Sequence, residues 1–200
     1  NDLFTSFEDS EDEIIKDAEE KLSSIVKLKN KIKEARLDLL KTDDPSWEQQ
    51  QKTKDSIREI EDQIAEFQKL NEKLNSLNKQ SEKHNLFSEG ITEKFRDLQK
   101  LVKEIFPPEM FEDMEIMKDA LDKLDVKDMI SILENISNNL NKTEQELDRF
   151  LDIFQRIKAE QKVDEIRKRI EQLAKNQDNL DQQIRSMNKQ TDSSVFKRLT

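Results

Sequence analysis

Apolar residues recur along this chain at steps of three and four, with polar residues filling the gaps. Ile14, Ile15, Ala18, Leu22, Ile25, Leu28, Ile32, Ala35 and Leu39 make one such stripe, the spacing of an amphipathic helix. Ser10 followed by Glu11, Asp12 and Glu13 suits the start of that helix, because carboxylates in the first turn complement the helix dipole. A helix over about 10–42 is predicted. It is preceded by a lead-in at 1–8 that lacks a period and reads as linker or disordered chain.

Helix interiors exclude proline, so "KTDDPSW" ends the first helix. Pro45 suits a first helical position, with Asp44 where an N-cap belongs, which predicts a tight reversal into a second, antiparallel helix at 45–83. Its seam reads Ile57, Ile60, Ile64, Phe67, Asn71, Leu74 and Asn78, the 3-4 alternation of a heptad. Asn71 and Asn78 either select register from within the seam or lie wet at its edge. "HNLFSEG" breaks this helix, and Ser88 can cap a third at 88–106, which must stop before Pro107 because a residue preceding proline avoids α geometry. Pro108 can open a fourth at 108–124, and Asp125 looks like a further cap.

Beyond Asp125 no Pro or Gly interrupts 126–190, so one helix about 60 residues and about 90 Å long is possible. Its first seam includes Leu147, Phe150, Phe154 and Ile157, and a second follows through Val163, Ile166, Ile170, Leu173, Leu180, Ile184 and Met187. The phase slips near Ala159, a sign of a changed supercoil or packing partner. Acid-first i,i+4 pairs (Asp17–Lys21, Asp119–Lys123, Asp164–Lys168, Glu165–Arg169 and Glu171–Lys175) support the exposed faces. Residues 191–200 lose the period and read as a tail. The predicted architecture is all-α: a single elongated domain over 9–190, an antiparallel coiled-coil or long-helix bundle with a short-helix corner near 88–125.

Composition sharpens this picture. Of 200 residues 33% are apolar and 40% charged, with one Gly, three Pro and no Cys. Compact domains carry about 45–50% apolar residues, so the apolar content suits narrow helical seams. Without Cys there is no disulfide, thiolate metal site or cysteine nucleophile. The formal charge of −10 argues against nucleic acid, whose binding depends on Lys and Arg neutralising phosphates. Six carboxylates and no base fall within residues 1–15, whereas Arg185, Lys189, Lys197 and Arg198 mark the other end. Opposite ends could favour antiparallel association, although solvated tails are the plainer reading. No apolar run approaches the ~20 residues of a membrane span, so direct membrane insertion is not expected. The chain begins with Asn1, which reads as a piece of something longer.

Candidate chemistry is sparse. Catalysis needs a nucleophile, a tuned acid or base, or a metal, and a single histidine, His84, precludes any multi-histidine site within the chain. Glu104, Glu109, Glu112 and Asp113 gather near the prolines without forming a persuasive cation site. Asn135-Ile-Ser137 and Asn141-Lys-Thr143 match the glycosylation triplet but lie within a predicted helix. No catalytic residue, cofactor, metal or small-molecule ligand is therefore assigned.

Four of the five methionines (Met110, Met114, Met117 and Met129) cluster with Phe106 and Phe111. Phe106, Met110, Phe111, Met114 and Met117 could form a pliable groove for a partner helix, or the filling of a corner between two short helices. The corner is the favoured reading. Trp47, in the first turn of the second helix, is expected to cover the end of a helix pair. The helix-packing seam is assigned to Ile57, Ile60, Ile64, Phe67, Leu74, Leu147, Phe150, Phe154, Ile157, Ile166, Ile170 and Leu173, and the partner to protein, either a second copy or another helical chain.

The blocks "SWEQQQKTKDSIREIEDQI", "NLFSEGITEKFRDLQKLVKEI", "PPEMFEDMEIMKDALDKLDVKDMISILENI" and "LDRFLDIFQRIKAEQKVDEIRKRIEQLAKNQDNL" follow one another in an order that resembles the coiled-coil-rich region of a family of large, membrane-anchored bacterial proteins known only as a domain of unknown function. The resemblance covers about residues 47–184. It implies a helical arm of a longer protein in a bacterial cell envelope, anchored by transmembrane helices outside this stretch. It offers no catalytic residue to carry over. The function expected is a non-enzymatic spacer or scaffold that works by helix-to-helix packing.

Overall fold

The computed structural model describes residues 2–84 and 88–196, with side chains described over 6–84 and 88–186. The protein is all-α. Its helices are α1 (Asp2–Leu39), α2 (Trp47–Lys83), α3 (Glu89–Lys103), α4 (Pro108–Lys123) and α5 (Val126–Phe196). The chain divides within α5 into two compact units, Asn1–Lys158 and Ala159–Thr200, where a single domain was expected. Asn85, Leu86 and Phe87, in the predicted break, lie outside the described residues, as do the last four positions of the predicted tail.

Ion pairs fix the directions within the first unit. Lys21 meets Glu66 at 3.4 Å, Lys31 meets Glu59 at 2.7 Å, and Lys73 meets both Glu13 at 2.7 Å and Asp17 at 2.5 Å, so α1 and α2 are antiparallel. Arg36 reaches Glu134 at 2.7 Å, and Lys29–Glu144 and Lys158–Asp12 also pair, so α5 runs antiparallel to α1. Arg96–Glu82, Phe106–Phe67 and Lys118–Glu61 run in opposite order along α2. The contacts Phe95–Phe154, Ile105–Thr143 and Asp113–Asn139 do the same along α5.

α3 and α4 therefore share one position in an up-down-up-down four-helix bundle. They are the two short helices expected within 88–125, and together they supply the third helical position of the bundle. Two prolines suffice to break a helix without turning the chain out of the bundle. Pro108 lacks the N–H a helix needs, yet fits the first turn of α4. The break is repaired from outside: the fully buried Thr143 hydroxyl donates to the Ile105 carbonyl at 3.0 Å.

Caps define the turns. Ser46 is the N-cap of α2, with a reciprocal capping box to Gln49, so Asp44 and Pro45 fall outside the helix. Ser88 holds the N-cap position of α3 but makes no side-chain capping bond. Asp125 Oδ1 accepts from the amides of Lys127 and Asp128, as its sequence position suggested. The preceding Leu124 takes a left-handed conformation (φ 56°) and closes α4. The stretch read as a lead-in is helical from Asp2, because Phe7, seven residues before Ile14, continues the stripe of α1 into the core. Residues 191–196 likewise continue α5.

Candidate interaction surface

Among the described residues the hydrophobic core runs from Phe7 to Ile157 and belongs to the first unit. Ile57, Ile60, Phe67, Leu74, Leu147, Phe150, Phe154 and Ile157 are buried there, and Ile64 packs against them partly buried. Phe154 stands edge-on to Phe95 with ring centroids 5.9 Å apart and stacks on Phe150 at 5.7 Å. Thr53, Ser56 and Ser81, small polar residues on the inner side of α2, satisfy their hydroxyls on backbone carbonyls three or four residues back. Asn78 is buried and Asn71 partly so, and each has a side-chain oxygen that finds no partner among the described residues. Both asparagines thus lie within the packed seam rather than fully wet.

The methionine cluster is core. Met110, Met114, Met117 and Phe106 are buried, and of the predicted patch only Phe111 is exposed, at 45%. The reason is topological: α4 is squeezed between α2 and α5, so its apolar face is covered on both sides. What remains outside is a cleft of about 250 Å³ at the proline break, lined in part by Phe67, Asn71, Phe106 and Phe111. Trp47 lies in the first turn of α2, as expected, but stands 76% exposed rather than covering the end of a helix pair.

Among the perturbed ionisable groups of this unit, Asp113 is one whose shift is led by burial, whereas those of Glu66, Lys69, Lys73 and Lys118 are led by hydrogen bonds to their ion-pair partners. Burial raises the Asp113 carboxyl above the usual carboxylate range, a hydrogen bond from Asn135 opposes this, and Glu112 and Glu109 reinforce it. Asn135 and Asn139 donate to its two oxygens at 3.4 and 3.2 Å. The first glycosylation-like triplet therefore places its asparagine in the α4–α5 contact, and the second places Thr143 in the core. Among the described residues no group of three His, Asp or Glu side chains is placed to hold a metal, and no helix is long and apolar enough to cross a membrane.

The second unit is different. Val163, Ile166, Ile170, Leu173, Leu180 and Ile184 are all 55–67% exposed. They follow the steps 3-4-3-7-4, with Gln177 filling the position between Leu173 and Leu180. This is an unbroken a/d heptad register on one α-helical face. Ile166, Ile170 and Leu173, assigned to the packing seam, thus carry the right spacing but lie exposed, outside the buried core of the described residues. Their helix is reinforced on its polar side by Asp164–Lys168 at 3.5 Å and by Glu165–Arg169. Asp17 and Lys21, expected to pair with each other, turn instead to Lys73 and Glu66 on α2.

No protein-family model, curated protein or solved structure matches the chain. The candidate surface therefore rests on geometry alone. It is the apolar face of residues 163–184, and the sequence period that found it could not tell a covered seam from an open one.

Proposed function

We propose that this protein is a non-enzymatic structural and interaction module, a helical scaffold that works by helix-to-helix packing. The observation that carries the reading is the contrast between the two units. The first closes its apolar face within one chain, and the second presents six large apolar side chains at heptad spacing to solvent. Isolated exposed apolar residues are ordinary on protein surfaces, whereas a contiguous stripe marks a contact surface. The resemblance to membrane-anchored bacterial proteins of unknown function supports a place in a longer envelope-associated protein, with anchoring supplied from outside this stretch.

The methionine-lined groove is not favoured as a second reading, since all its residues but Phe111 are core. A photo-cross-linking amino acid placed at Leu173, in cells that make the protein, tests the proposal. The expected result is an adduct with a polypeptide, from this position but not from the still more exposed Trp47 on the first unit. Adducts with lipid alone, or with no macromolecule, would sink it.

A further inference from the structure

We propose that the open seam of the second unit is completed by a second copy of this chain, lying antiparallel. The inference rests on the scaffold reading above and adds to it an occupant, an orientation and a register. With Val163 and Ile170 at a and Ile166 and Leu173 at d, Gln177 and Ile184 fall at a and Leu180 at d. An antiparallel pair sets each a layer against a d layer, and this stretch is its own complement: Ile166 meets Ile184 of the other copy, Ile170 meets Leu180, and Leu173 meets Gln177.

The flanking charges select the same arrangement. In that register the e positions bring Arg167 opposite Asp181 twice, once at each end, and Ala174 opposite itself. The remaining e and g positions from Glu160 to Gln183 meet Asn or Gln, so no like charges face each other. A parallel, in-register pair would match Gln177 with Gln177. It would also set Lys162 at g against Arg167 at the following e of the partner, twice, and gain no opposite-charge pair. Like charges at those positions select against a pairing as strongly as unlike charges select for one. Arg167 and Asp181 are exposed and take part in no ion pair among the described residues, so both are available to a partner. The seam covers three heptads, about the length at which such a pattern becomes a coiled-coil signal.

The test uses the whole chain in sedimentation equilibrium, from about 1 to about 200 μM, with helicity followed by circular dichroism. A monomer–dimer equilibrium is expected. Arg167→Asp should weaken it roughly tenfold, by setting a new carboxylate against Asp181, and the double variant Arg167→Asp/Asp181→Arg should restore it to within about threefold. Both positions are exposed, so the helicity of the monomer should be unchanged. The chain has no cysteine, so Ala174→Cys supplies a single thiol, which a short bis-maleimide should link to its twin across the dimer axis.

A chain that stays monomeric throughout the range overturns the proposal. So does an Arg167→Asp variant that dimerises more tightly, since in a parallel pair the introduced carboxylate would attract Lys162. A monomer that still cross-links to a different polypeptide through Leu173 would overturn the self-pairing and leave the scaffold reading standing.

Discussion

Asp113 shows how one polar residue is fitted into the contact between α4 and α5. Its carboxylate accepts the amides of Asn135 and Asn139, yet burial and the nearby Glu112 and Glu109 make its charge costly. A carboxyl whose folded pKa is raised keeps its proton to higher pH in the native state than in the unfolded chain. The native state then binds more protons between the ordinary carboxylate value and the raised one, so this group's contribution to stability falls as pH rises through that window. Asp113→Asn removes the charge and leaves an oxygen to accept one of the two amides. Relative to the parent, the variant should gain stability as pH rises from below the carboxylate range to neutrality, with the difference flat at both ends. Urea unfolding of both proteins at a series of pH values checks this. A difference that does not change with pH would mean the carboxyl is not perturbed. Thr143 shows the opposite economy, one buried hydroxyl answering one carbonyl freed by a proline pair.

Among elements, the difference between a filled seam and an open one decides what a substitution does. Phe154→Ala in the first unit deletes a fully packed ring from between Phe95 and Phe150 and should cost ~3–5 kcal/mol. Leu173→Ala removes a side chain that is two-thirds exposed and should stay within about 0.5 kcal/mol for the monomer. Chemical denaturation of dilute protein compares them, and near-equal losses would contradict the burial pattern. Sequence made the helix types and the seam members legible, because 3-4 spacing writes the inner face of a helix directly into residue order. Its limits are equally physical. Periodicity is local, so it marked Ile57 and Ile170 alike, although of the two only the first is buried. Proline stops a helix but does not say whether the chain leaves the bundle, so residue order gave the two short helices α3 and α4 without their shared position in it. The methionine cluster was rightly weighed as core, whereas Trp47, in the first turn of α2 as expected, is exposed rather than covering a helix end.

Over the whole chain, the boundary after Lys158 separates the residues that make the core from those that leave their seam open. Among the described residues every core side chain lies between Phe7 and Ile157, and four antiparallel helical positions bury one another there, so the first unit contains what a cooperative fold requires. The helix from Ala159 onward has good surface ion pairs, each worth only a few tenths of a kcal/mol. Most helical stability comes from packing an apolar face, so any packing partner of this stretch should govern its melting. A chain ending at Lys158 should therefore unfold in one transition, with its midpoint within about 4 °C of the dilute full-length protein, a shift corresponding to ~1 kcal/mol at this size. The midpoint should also be independent of protein concentration. The full-length chain should show in addition a helical signal that strengthens with concentration, since association stabilises the bound form by mass action. Calorimetry and circular dichroism at two concentrations a hundredfold apart make the comparison. If the shortened chain loses cooperativity, the bundle depends on residues beyond its own core. If both chains respond to concentration alike, association resides in the bundle and not in the 163–184 seam.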